Sequence, residues 1–223
     1  MQPQAAPVGK VSVPDSDHFL TLGEARRPWL EPQRLKQRFL ELSQQYHPDR
    51  FHNAPAPERD SMQSRFTAIN TAHQVLREPR DRLAHLLELE TGSRPKDIQR
   101  MPSGAMDLFV EIGQACRAVD ELLASRRQDA SPLAKVGWIR DSREWVSKLG
   151  LLQQAVNHRQ EAHTKTLQEL NNSWEAADAL TGAGRKSALP LEKLEEVYRG
   201  VSYAARWTAQ IQQRVADLVA AAS

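Results

Sequence analysis

From Trp138 to Trp174 the chain carries a stripe at steps of three, four and seven: Trp138, Trp145, Leu149, Leu152, Val156, His163, Leu167, Leu170 and Trp174. Side chains return to one side of an α-helix about every 3.6 residues, so the stripe predicts one long helix with the seam of an antiparallel bundle. Ser131-Pro132 supplies its start, a capping residue followed by a proline suited to the first helical position. A preceding helix is predicted from near Ser103 to near Arg127, with Leu108, Ile112, Ala115, Val119, Leu122 and Leu123 on its inner side. A following helix is predicted from Pro190, burying Leu194, Val197, Val201, Ala204, Ile211, Val215 and Leu218. Thr181–Leu189, rich in glycine and small residues, is expected to form the turn between the last two. No stretch shows sustained alternation and β-branched residues never cluster, so the fold class is all-α. Residues 103–223 read as a three-helix bundle.

The first half is also helical. Ser16–Leu22 fits a short helix ended by Gly23. A second helix begins at Pro32 and runs to about Tyr46, with Leu35, Phe39, Leu42 and Tyr46 on one face. A loop marked by Pro48, Asn53, Pro55 and Pro57 follows. Then a third helix from about Glu58 turns Met62, Phe66, Ile69, His73 and Leu76 inward. Pro79 interrupts or kinks that pattern, after which Leu83, Leu86 and Leu87 continue an apolar face to Thr91-Gly92. Residues 1–15 read as a flexible lead-in, 16–92 as a compact helical hairpin domain, and 93–102, flanked by Gly92 and containing Pro95 and Pro102, as a linker.

The chemistry concentrates at His47-Pro48-Asp49, between the second and third helices. Pro48 fixes φ and stops the helix, presenting its neighbours at a rigid corner. Asp49 offers a carboxylate that can accept a bidentate pair from a partner's arginine, and His47 places an orientable ring beside it. Arg34 and Arg38 stand one turn apart and, with Lys36, give the preceding helix a basic stripe that would steer an acidic partner. As a bare tripeptide the motif could be a simple turn, with Asp49 bonding the local backbone, and the basic residues could be a solvated face. A metal set of His47, Asp49 and His52 has the right ligand types but lacks a further convergent ligand, and an acid–base site lacks a third partner.

The context resolves the motif. A helix bearing Arg34, Lys36 and Arg38 ahead of Tyr46-His47-Pro48-Asp49-Arg50, followed by Phe66-Thr67-Ala68-Ile69-Asn70-Thr71-Ala72, resembles a J domain. Asn70 to Leu87, with its Leu76-Arg77-Glu78-Pro79 and its Arg82-Leu83-Ala84-His85-Leu86-Leu87, resembles the HscB family, called Jac in mitochondria, and Arg38-Phe39 ahead of the corner is also typical of that family. Neither a Gly/Phe linker nor Cys-x-x-Cys zinc repeats follow. The resemblance implies a co-chaperone rather than an enzyme, without cofactor or metal. Its J domain would stimulate the ATPase of a DnaK- or HscA-type chaperone through His47, Pro48 and Asp49, supported by Arg34, Lys36, Arg38 and Arg50. Its bundle would hold the iron–sulfur scaffold IscU for cluster transfer.

Matching Val119-Asp120-Glu121 to the family's Leu-Asp-Glu puts Phe109, Val110, Gly113, Gln114 and Arg117 at or beside the scaffold contacts. The helical wheel agrees, since Met106, Phe109, Val110 and Gly113 fall away from the inner side, and packing on the J domain or a second copy is the other use of that face. Tyr203, well off the buried stripe of the last helix, matches the family's aromatic contact, and Trp207 lies between the faces. Where the family usually carries an Arg-Glu-Glu segment this chain has Gly113-Gln114-Ala115-Cys116-Arg117-Ala118, a less polar surface that a different client could also use.

Composition limits the alternatives. The chain has 223 residues, 40% hydrophobic and 26% charged, as an ordinary globular protein does. A net charge of +2 excludes a surface that is all nucleic-acid footprint, and no apolar run approaches the roughly 20 residues that span a bilayer. The N-terminus fits neither a secretory signal nor an Arg-rich transit peptide. Cys116 stands alone, so a disulfide or a cysteine zinc site within one chain is impossible, and it reads as a small, partly buried filler rather than a cluster ligand, since thiolate sites need company. A cytoplasmic setting follows more naturally than a mitochondrial matrix one.

Overall fold

The computed structural model describes residues 17–95, 101–126 and 131–222, the side chains of residues 132 and 133 excepted. The lead-in expected over 1–15 and the centre of the expected linker, 96–100, lie outside the described residues. Among those described, the regular structure is helical: α1 (His18–Leu22), α2 (Pro32–Gln45), α3 (Ala56–Arg77), α4 (Pro79–Thr91), α5 (Met106–Arg126), α6 (Pro132–Ala176), α7 (Gly182–Ala188) and α8 (Leu191–Ala222), with a 3-10 turn at Pro48–Phe51. The all-α class is as the periodicity requires.

The ends of these helices follow from local chemistry. Asp17 caps α1 by accepting from the Phe19 and Leu20 amides, and Gly23 closes it at φ 68°. Only glycine adopts that left-handed backbone without strain, and a Cβ here would also sit 3.1 Å from the Arg38 guanidinium. The Glu31 carboxylate accepts from the amides of Gln33 and Arg34, with Pro32 at the start of α2. Glu78, pushed into extended backbone (φ −86°, ψ 117°) by Pro79, ends α3 and opens α4 as a separate helix.

The chain forms two compact units, Met1–Lys96 with Leu167–Glu195, and Asp97–Thr166 with Glu196–Ser223. In the first, α3 is the hub, packed on α1, α2, α4 and the 3-10 turn. Phe19, Leu22, Ile69, Ala72, Leu76, Leu83 and Leu86 are all essentially inaccessible. Helix α4 is buried from Arg82 to Leu87, the charged Arg82 included. Arg82 donates to the Pro28 and Leu76 carbonyls at 3.1 and 2.8 Å. The Leu76 carbonyl is an orphan acceptor of the last turn of α3. Burial lowers the Arg82 guanidinium to about 10, still charged at neutral pH.

The second unit is a three-helix packing of α5, the first part of α6 and most of α8, around Leu108, Ile112, Val119, Trp138, Leu149, Val156, Trp207, Ile211 and Leu218. Gly200 lets α8 approach α6, since a Cβ there would lie 2.3 Å from Nε2 of His163.

Two expectations change. The stretch 167–195, read as part of the C-terminal bundle, packs with the first unit, because a heptad stripe states that a face is buried but not which neighbour buries it. The segment expected as a turn contains α7, joined to α4 by a bidentate Arg185–Glu90 pair at 2.9 and 2.9 Å. Both side chains of that pair are largely inaccessible.

Candidate functional site

Helix α2 ends at Gln45, and His47 caps the 3-10 turn that Pro48 begins. The turn is closed by the Arg50 amide donating to the His47 carbonyl at 3.0 Å, and the Asp49 carbonyl meets His52 Nδ1 at 2.8 Å. These bonds fix the backbone while the functional groups stay outside. The Asp49 side chain is 89% exposed and that of His47 49%, with Nδ1 3.5 Å from the nearer Asp49 oxygen. The His47 ring is held edge-on by Phe66 of α3, centroids 5.6 Å apart and planes 78° apart. One residue back, Arg65 lies 4.7 Å over the Tyr46 ring. Arg50 reaches the Gln44 carbonyl at 3.5 Å.

The basic residues of α2 are not equivalent. Arg34 pairs with Glu24 at 3.3 Å, and Arg38 donates to the Leu22 carbonyl at 3.0 Å and reaches Glu41 at 3.4 Å. Arg38 thus serves the unit's own structure, while the Arg34 side chain stays largely in solvent. Lys36 is exposed and makes no ion pair among the described residues. Lys36 also lines a groove of about 420 Å³ with Leu30, Leu35, Phe39, Leu40, His73 and Arg77. Its floor includes the stacked Phe39 and His73 rings, centroids 4.0 Å apart. Burial, then Arg77, holds the His73 imidazole below its ordinary value.

On the second unit Phe109 and Val110 are 45% and 43% exposed, Met106 58%. Gln114 and Arg117 are exposed and Gly113 is half-buried, so one face of α5 presents all six. Cys116 is buried, and desolvation raises its thiol pKa, as befits a filler. Tyr203 is less detached from the core than the wheel implied. It packs against the core cluster, 5.6 Å from Trp207, and Trp207, expected between two faces, is buried. Arg206 covers the other aromatic partner, 5.6 Å from the Tyr203 ring centre.

Sequence reasoning did not single out Phe66 and Arg65 as supports of the corner, nor Asn171, which bonds the Trp29 backbone. Phe66 was legible as an inward residue of its helix and as part of the Phe66–Ala72 run, not as a brace for His47. Among the described residues no group of three or more His, Cys, Asp or Glu is placed to hold a metal ion, and no helix is long and apolar enough to cross a membrane.

A unit built on the paired helices α2 and α3 with an exposed His-Pro-Asp corner between them is a J domain, and the DnaJ domain family matches residues 20–85. The co-chaperone protein HscB of Proteus mirabilis is 36% identical over 74 residues, which is 33% of this chain and 43% of that protein. The match thus spans less than half the length of that relative. The crystal structure of human co-chaperone protein HscB shares the fold over 90% of this chain and 83% of its own, at TM-score 0.56 and 20% identity. The chaperone HscB from Vibrio cholerae aligns over 88% of this chain and 99% of its own, at 21% identity and TM-score 0.43. Residues 20–85 are thus matched by the DnaJ domain family, and the chain is similar to co-chaperone protein HscB over part of its length.

Proposed function

We propose that this protein stimulates the ATPase of a DnaK- or HscA-type chaperone and brings to it the iron–sulfur scaffold IscU for cluster transfer. The observation that carries the first half is the corner itself. An almost fully exposed Asp49 carboxylate and the His47 ring stand on a turn whose backbone is closed by its own hydrogen bonds and whose ring is braced by Phe66. Such a group is preorganised, so a partner's arginine can pair with it without first ordering it. Arg34, Lys36 and Arg50 are exposed cations on α2 and beside the corner, and Arg38 acts through its bond to the Leu22 carbonyl. The protein's part is regulatory rather than catalytic, in a cytoplasmic setting.

The second half rests on the α5 face with Phe109, Val110, Gly113, Gln114 and Arg117, and on Tyr203. Its exposed apolar residues support a partner surface. A different client is favoured by one feature, the absence of acidic side chains at Gly113, Gln114 and Arg117.

Single-turnover ATP hydrolysis by a purified DnaK- or HscA-type chaperone tests the reading. Stimulation is expected, and His47→Gln or Asp49→Asn abolishes it while the helical circular dichroism stays unchanged. Stimulation unaffected by both substitutions removes the J-domain mechanism. Capture of purified scaffold, weakened by Phe109→Ala, Val110→Ala and Tyr203→Ala, separates the scaffold from another client; no capture by the unaltered protein removes the scaffold.

A further inference from the structure

The segment that leads into α2 is held by residues far away in sequence. Trp29 precedes Pro32, the first residue of α2, by three positions. Its N–H donates to Oδ1 of Asn171 at 3.0 Å and its carbonyl accepts from Nδ2 of the same side chain at 2.9 Å. One primary amide thus satisfies both polar groups of one backbone residue, the double exchange that a neighbouring strand would make. Two residues earlier, Arg27 reaches the same region: its guanidinium makes a bidentate pair with Asp178, Nη1 to Oδ1 at 3.0 Å, and lies 3.9 Å from Glu175. That pair holds the Asp178 carboxyl below its ordinary value, the hydrogen bond from Arg27 being the main cause. Leu30 is buried and Glu31 caps α2. From Arg27 to Pro32 the chain therefore has little freedom. The side chains that hold its backbone and its arginine, Asn171, Glu175 and Asp178, lie at or just beyond the end of α6, outside the residues matched as a DnaJ domain.

We infer that Asn171 is a positioning residue for chaperone docking, setting the direction in which α2 leaves the Trp29 segment; the inference rests on the co-chaperone reading above. Helix α2 has 14 residues. At a rise of about 1.5 Å per residue it is a lever of roughly 21 Å, and a tilt of about 5° about its braced corner end displaces the Pro32 end by about 2 Å. That is enough to misalign the cations and apolar residues along α2 with a partner surface. The His47 corner, braced by Phe66 and by the turn's own bonds, stays intact. Loss of the clamp therefore weakens docking without disabling the trigger.

The test uses the full chain with Asn171→Ala and Asn171→Asp. The second keeps an acceptor for the Trp29 N–H but sets a carboxylate against the Trp29 carbonyl, and it serves if the alanine variant does not fold. Ile211→Val, in the second unit, is the control for general destabilisation. In single-turnover assays with a purified DnaK- or HscA-type chaperone, the concentration giving half-maximal stimulation rises about three- to tenfold, as expected for losing one or two modest hydrogen bonds. The maximal rate is unchanged, and Ile211→Val moves neither. Hydrogen exchange read on the same proteins shows the Trp29 amide and the first turn of α2 losing protection while the α3 amides keep theirs. Half-maximal concentrations within twofold of the parent, or unaltered exchange at Trp29, overturn the inference while normal stimulation by the parent leaves the co-chaperone reading standing. No stimulation by the parent removes both.

Discussion

Acid should loosen the first unit through His85, and the size of the effect can be worked out. The His85 ring is nearly inaccessible, with Nε2 accepting from the His18 amide at 3.1 Å. It lies against the His18 ring at 4.4 Å and the Phe19 ring at 5.9 Å between centroids. Burial, then the neighbouring His18, lowers its pKa from 6.5 to about 4, with Asp17 opposing and Arg26 and Arg94 adding slightly. The imidazole is therefore neutral in the folded protein over a range where the unfolded chain already takes up a proton. Stability contributed by keeping it neutral is present at pH 7, declines as pH falls below 6.5, and levels off below about 4. At pH 5 the loss comes to about 2 kcal/mol, approaching about 3 kcal/mol below pH 4. His18, also lowered by burial, adds in the same direction. The measurement is urea unfolding at pH 7, 6 and 5, resolved for the first unit by exchange of the α3 and α4 amides, on the parent and His85→Gln. Glutamine keeps an acceptor but does not titrate, so the variant should lose about 2 kcal/mol less than the parent between pH 7 and 5. A parent whose first unit is equally stable at both pH values, or a variant just as acid-sensitive, would refute the argument.

Three further outcomes follow from the packing. Gly200→Ala should destabilise the second unit by about 1–3 kcal/mol, because its Cβ would meet His163 Nε2 at 2.3 Å; calorimetry should show part of this regained in Gly200→Ala/His163→Ala. Glu90→Gln, which strips the charge from the largely buried partner of Arg185, should lower the stability of the first unit by about 3 kcal/mol in urea unfolding. Arg82→Met leaves the Pro28 and Leu76 carbonyls without their donor and should cost about 2–5 kcal/mol by the same assay, with Arg82→Lys intermediate.

Helix periodicity, proline placement and terminal glycines were enough to foresee the all-α class, the start of α2 at Pro32, the closure of α1 by Gly23 and of α4 by Gly92, and the inner stripes of α5, α6 and α8. These features are local: a proline sets its own φ, a glycine its own left-handed turn, and an apolar stripe follows from the pitch of one helix. The His-Pro-Asp corner belongs with them, since everything that closes its turn lies within six residues of it. Tertiary structure decided what depends on distant partners. It assigned Leu167–Glu195 to the first unit, buried Trp207 and half-buried Tyr203, committed Arg34 and Arg38 to Glu24 and the Leu22 carbonyl, and brought Asn171 to Trp29 across 142 positions of chain. An arginine on a helix reads the same whether it faces solvent or a neighbour's carboxylate, and a side-chain amide carries no mark of the backbone it will clamp. Those pairings exist only once packing has brought the two stretches of chain together.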